Sequence, residues 1–180
     1  PPRCAFDNAT VGPAGLALGL GYADIMTKVF QDEEVTVPRC PTGEIMLRMA
    51  KGERQAFQVV LSPPERLSAS VTVDLDPSHG AATVNRVGYT DVSWAVDPRA
   101  RTGPYPDALI PAATDNMLPL PAGLAQPYWV EIYVPTNSTD TEIYAELSVA
   151  TICTTGAQLP VTVTIKVLLW DFSVPPPAQA

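Results

Sequence analysis

From about Lys28 onward, apolar and polar residues alternate with a period of two over several short stretches. Val161, Val163, Ile165, Val167 and Leu169 form the cleanest such face. Ala69, Val71, Val73 and Leu75 oppose Ser70, Thr72 and Asp74, and Val130, Ile132 and Val134 oppose Trp129, Glu131 and Tyr133. Residues 44–50, 55–61 and 143–150 also read as strands, and 83–96 reads as two short strand pieces around Gly88. Turn-forming clusters separate them at Ser62-Pro63-Pro64, Asp76–Gly80, Thr136–Asp140 and Thr154-Thr155-Gly156. No stretch carries a long amphipathic helical pattern. Seven or eight short strands with polar outer faces predict an all-β chain, an antiparallel β-sandwich of immunoglobulin or jelly-roll type.

Three segments depart from this pattern. Residues 1–25 are apolar and Gly-rich with neither helical nor strand periodicity, and are expected to form an N-terminal extension outside a sandwich at 26–174. Asp97–Pro127 holds seven prolines and is expected as a long surface excursion, because proline cannot donate to a central ladder. Residues 175–180 read as a Pro-rich tail or linker.

The 180 residues carry 11 basic and 19 acidic side chains, a formal charge of −8, with 46% in the hydrophobic set. An acidic chain without a basic stripe lacks the phosphate-binding component of nucleic-acid recognition. The longest mostly apolar run, Val11–Tyr22, is interrupted by four glycines and a proline and falls short of the ~20 residues of a membrane span. Gly19 and Gly21 do not make a dinucleotide fingerprint, since Asp24 stands where the third glycine would be.

Lysine is scarce, and two Asn-x-Ser/Thr sequons, at Asn8 and Asn137, are candidate glycosylation sites. The three cysteines, Cys4, Cys40 and Cys153, show no metal-ligand spacing, and neither cofactor nor metal is implied. One disulfide plus one odd thiol is the natural count. A Cys4–Cys40 bridge would close a loop of about 36 residues and stabilise by about 3–4 kcal/mol in the chain-entropy picture. Cys40–Cys153 is an open competitor, and three buried reduced thiols are the plain alternative. With Pro1-Pro2-Arg3 readable as a processed start, these features point to an extracellular chain.

Several longer motifs resemble a known family. Met49–Gln58 is similar to a strand of "rxxE.eafQ" pattern, Val87-Gly88-Tyr89 with Gly103–Pro111 to a "vgY … g.yPDpLlP" segment, Gln126–Pro135 to "q.fWv.v.vP", and Leu159–Phe172 with Pro175 to "lpv.l.VwdF.lP". In this order they resemble the N-terminal β-sandwich preceding the barrel in glycoside hydrolase family 123 and related secreted proteins. The resemblance covers roughly residues 28–175. Glu142-Ile143-Tyr144-Ala145-Glu146 keeps the tyrosine of a Gly-x-Tyr-x-Gly pattern but lacks both glycines. The resemblance places the family's catalytic Asp-Glu pair on the barrel, beyond Ala180, so no catalytic residue carries over.

Candidate chemistry is sparse. Glu53 beside Arg54 reads as a carboxylate that fixes a loop, and Asp107 as a turn carboxylate accepting backbone N–H groups. Asp74 and Asp76 flank Leu75, too few oxygens for Ca²⁺. His79 has no base or nucleophile near it in sequence. Trp94, Trp129 and Trp170 suit core or interface burial better than a sugar platform. The sequence therefore leads to a non-catalytic extracellular structural protein, its partners being copies of itself joined through the N-terminal extension into a fibre or layer, with glycans attached. The alternative is an accessory sandwich of a glycoside hydrolase that packs on a barrel or orients glycan. A free-standing glycan-binding module is a third reading.

Overall fold

The computed structural model describes residues 3–4, 10–11, 17–32, 44–94, 97, 101–112, 117–153 and 161–175. Among the described residues twelve strands run in chain order as β1 (Arg3–Cys4), β2 (Thr10–Val11), β3 (Ala17–Ala23), β4 (Glu44–Lys51), β5 (Arg54–Ser62), β6 (Leu67–Asp74), β7 (Ala81–Val92), β8 (Gly103–Pro111), β9 (Leu118–Leu120), β10 (Gln126–Tyr133), β11 (Glu142–Cys153) and β12 (Val161–Ser173). They build two six-stranded sheets, ordered β1-β4-β12-β11-β6-β9 and β2-β3-β5-β10-β7-β8. The chain is an all-β sandwich, as the alternation predicts. Among the described residues every pairing is antiparallel except β12 with β4, which is parallel.

The period-two faces meet between the sheets. Ile45, Leu47 and Met49 from β4 and Ile165 and Val167 from β12 are fully excluded from solvent, opposite Phe57, Val59 and Leu61 from β5 and Val130 and Ile132 from β10. Such close burial of branched side chains is the main favourable contribution to the fold, at about 1.5–3 kcal/mol each. A second, smaller apolar cluster of Ala23, Val29, Val60 and Ala125 lies on the other face of β5.

The proline-rich segment stays at the surface but is largely strand. β8 borders β7 and β9 borders β6, so the segment supplies one of the two edge strands of each sheet. Proline is tolerated there. Ala112 N–H bonds the Val84 carbonyl, so the alternating Pro111 nitrogen faces the open edge, where no ladder bond is lost. Residues 81–92 make one strand, not two pieces, and the register against β8 shifts between Val87 and Tyr89, around Gly88.

Residues 17–23, read from sequence as part of an extension, pair with β5 from Gly19↔Ser62 to Ala23↔Gln58. Tyr22 is buried and stacks on Phe57 at 5.6 Å between ring centroids. Gly19 permits the approach, since a Cβ there would lie 2.8 Å from the Ser62 carbonyl oxygen. Residues 24–32 then run as a strap over β5. The Asp24 carboxylate accepts from Met26 and Thr27 N–H, and the buried Gln58 amide donates to both the Asp24 and Thr27 carbonyls at 2.8 Å. The Tyr89 hydroxyl bonds the Val29 carbonyl, and Ala125 N–H bonds that of Gln31. Burial pushes the Tyr89 hydroxyl pKa well up, which keeps it a neutral donor.

Candidate functional site

One end of the sandwich gathers the features with chemical or binding potential. Lys51–Glu53 crosses from the first sheet to the second as a tight corner. Gly52 adopts φ +81° there, donates to the Val134 carbonyl, and has no room for a side chain: a Cβ would sit 2.5 Å from Thr136 Cγ2. The Glu53 carboxylate accepts from Ala50 N–H at 2.7 Å, the loop-fixing role read from sequence. Arg54 instead reaches Glu131 at 2.7 Å and lies over the Tyr133 ring.

The β10–β11 loop packs beside this corner. His79 Nδ1 lies 2.9 Å from Asp140 Oδ2, which joins the β6–β7 turn to that loop. The partner is 61 residues away, which is why His79 looked isolated in sequence. Ser138 Oγ also bonds Asp140 Oδ2, at 3.1 Å. The Asp140 hydrogen bond holds the His79 pKa above its ordinary value, and His79 in turn lowers that of Asp140. The serine touches the carboxylate and not the imidazole, so the trio is ordered as a loop clamp, in contrast to the serine–imidazole contact that nucleophilic catalysis uses.

Beyond Leu169, whose N–H bonds the Thr141 carbonyl, β12 outruns β11. The register with β4 passes from Leu169↔Met49 to Ser173↔Lys51, a bulge that places four steps of β12 against two of β4. Trp170 and Phe172 stand 47% and 55% exposed, their rings stacked at 5.5 Å and 21°. Val174 is exposed beside them; its N–H ties the strand end to the corner through the Lys51 carbonyl, and Gly52 N–H ties the corner to the end of β10 through that of Val134. Outward residues earlier on β12 are Thr162, Thr164, Lys166 and the half-buried Leu168, so the face passes from polar to apolar towards the strand end. Of the tryptophans singled out from sequence, Trp170 belongs to this ridge, Trp129 is half-buried and Trp94 is exposed. Phe172, which the sequence reading passed over, completes it; its two-residue spacing from Trp170 on a strand was the available signal.

Of the remaining candidates, Asn137 and Asp76 lie in the two loops that the His79–Asp140 contact joins, while Asp74 and Asp107 lie on strands. Asp107 lies exposed within strand β8, so the turn expected at Tyr105-Pro106-Asp107 is replaced by an edge strand. Asp74 sits directly across the ladder from Glu146 and, with Asp76, Tyr144 and Thr164, lines an open groove of about 620 Å³. Asp76 is occupied by the Ser78 N–H and hydroxyl, which lower its pKa. No group of three metal-ligating side chains occurs among the described residues. Asn137 is exposed in the β10–β11 loop. Asn8, Cys40 and the side chains of Cys4 and Cys153 lie outside the described residues, and with them the disulfide expectation. No helix among the described residues is long and apolar enough to cross a membrane.

No family model matches the sequence, and no curated protein matches it. Among solved structures, the fold is similar to part of a family 123 glycoside hydrolase from Clostridium perfringens, studied for glycolipid glycan hydrolysis, with a TM-score of 0.63 and 12% identity. That match covers 88% of this chain and 28% of the hydrolase, so the chain spans little more than a quarter of its neighbour. The periplasmic chaperone SfaE (TM-score 0.41, 7% identity, 89% of this chain and 61% of that one) is also similar. So is a putative membrane anchored protein from Corynebacterium diphtheriae (0.35, 10%, 98% and 40%).

Proposed function

We propose that this sandwich is a non-catalytic accessory module of an extracellular protein and docks on another folded domain through the Trp170–Phe172 ridge. The observation that carries the reading is that ridge: two large aromatic side chains stand exposed on the outward face of β12, at the end of the face that also carries Thr162, Thr164 and Lys166. Contiguous exposed apolar surface of this kind marks interfaces, and Trp is enriched among residues that dominate them. The glycoside hydrolase neighbour supports it, since there a similar fold forms about a quarter of a longer chain. A flat sugar platform is the weaker use of the same residues, because the two rings turn faces toward each other.

Self-assembly through the N-terminal extension, the use first expected from sequence, is the second reading. A strand given to a neighbouring copy must leave its own sheet. Here residues 17–23 pair with β5, and the strap behind them is pinned by Gln58 and Tyr89. This pairing supports docking over strand donation.

The test compares wild type with W170S/F172S, both as the isolated 180-residue sandwich and within the complete natural polypeptide. The expected result is an isolated sandwich of unchanged melting temperature and a complete polypeptide in which the sandwich unfolds as a separate, earlier transition. Equal behaviour of the two complete polypeptides overturns the docking role. An equal loss in the isolated sandwich assigns the ridge to the fold itself. Concentration-dependent mass growth of the isolated sandwich, unaffected by the substitutions, would favour self-assembly.

A further inference from the structure

The second sequon of the chain has a setting that the docking role does not use. Asn137 is exposed in a tight turn that follows Pro135, closed by the Ser138 N–H bond to the Pro135 carbonyl at 3.2 Å. Ser138, the middle residue, turns its hydroxyl inward to Asp140, and Asp140 N–H bonds that hydroxyl in return. Asp140 is itself fastened to His79. Thr139, the residue whose hydroxyl a glycosyl acceptor must offer, is exposed. The acceptor residue and the hydroxyl-bearing residue are therefore both exposed, while the residue between them anchors the loop. The loop joins the two sheets at the end of the sandwich, and its exposed position suits a bulky polar group.

We propose that Asn137 carries an N-linked oligosaccharide. In the transfer, Asn137 Nδ2 bonds to the anomeric carbon of a lipid-pyrophosphate-linked oligosaccharide. The anomeric C–O bond breaks, the lipid pyrophosphate leaves with that bond's electron pair, and one amide proton passes to a base of the transferase. The preceding residue, Thr136, accepts the Ser173 hydroxyl through its carbonyl, so the sugar root borders the strand end that bears the aromatic ridge. A glycan there keeps the loop end of the sandwich solvated and limits how a partner approaches the ridge. The inference is independent of docking: a sugar can be present whether or not the ridge has a partner.

The experiment is peptide mapping of the protein isolated from its source. Trypsin releases residues 102–166 as one fragment, which contains Asn137 and no other sequon. The expected result is a hexose- and N-acetylhexosamine-bearing fragment that an amidase specific for N-glycans returns to the mass of an Asn137→Asp peptide. Finding that fragment wholly unmodified overturns the proposal. In a secreting eukaryotic host, T139A is expected to abolish the modification and S138A to keep it, since the Ser138 hydroxyl serves the loop. The reverse pattern would overturn the assignment of these two roles.

Discussion

If β3 is part of the sandwich, replacing Tyr22 by alanine must destabilise the isolated domain. Tyr22 is 4% exposed and stacks at 26° on Phe57, itself fully buried, at the edge of the core. Truncating a buried aromatic side chain to alanine costs about 3–5 kcal/mol through lost transfer energy and the cavity left behind, and the ring pair alone accounts for about 0.5–1.5 kcal/mol of aromatic preference. For a domain of this length, 1 kcal/mol corresponds to roughly 2–4 °C, so Tyr22→Ala is expected to lower the melting temperature by roughly 6–20 °C. Urea unfolding followed by tryptophan fluorescence gives the free energy, and Tyr22→Phe, which keeps the ring, is expected to retain most of it. A loss below about 1 kcal/mol for Tyr22→Ala would refute the reasoning. It would mean that residues 17–23 do not occupy their own sheet in solution, and would return them to the role of a free extension.

Gly52→Ala is expected to destabilise by at least about 1–2 kcal/mol in chemical unfolding, because φ +81° is unfavourable with a Cβ and that atom would meet Thr136 and the Val174 carbonyl. Tyr128→Phe is expected to be neutral or stabilising by up to about 1 kcal/mol. The Tyr128 hydroxyl is buried without a hydrogen-bond partner among the described residues, and burial raises its pKa to about 12. The His79–Asp140 clamp has opposite pH limits. The raised His79 pKa means its contribution is full below the ordinary value of 6.5 and lost as pH rises through the folded value; the lowered Asp140 pKa means loss as pH falls through its own. The clamp is thus strongest between about pH 4 and 6.5, and an NMR titration is expected to show the His79 pKa falling in Asp140→Asn. Replacing Pro104, Pro106 and Pro111 by threonine is expected to increase aggregation measured by light scattering, since an uninterrupted edge strand accepts further strands.

The central strands were legible because burial on one face leaves a parity signal that needs no tertiary information. Val161 to Val167 and Val130 to Val134 show it plainly. β3 was not legible, because Gly19 and Gly21 occupy its other face and erase the polar contrast. β8 was hidden by prolines, which exclude a central strand but not an outermost one. Side-chain partnerships across loops, such as His79 with Asp140 or Gln58 with the strap, leave no local trace. The ridge was half visible: parity already set Trp170 opposite the Val161–Val167 stripe, but that β12 runs on past the end of β11 and leaves both rings exposed depends on where a separate strand stops.

Acrylamide quenching of Trp170 tests the docking account most directly, with Trp94 and Trp129 replaced by phenylalanine so that one indole reports. It is measured in the isolated sandwich and in the complete natural polypeptide or its native complex. The account predicts an indole readily quenched in the sandwich, as its 47% exposure requires, and several-fold protected in the native assembly. Equal quenching in both would contradict it.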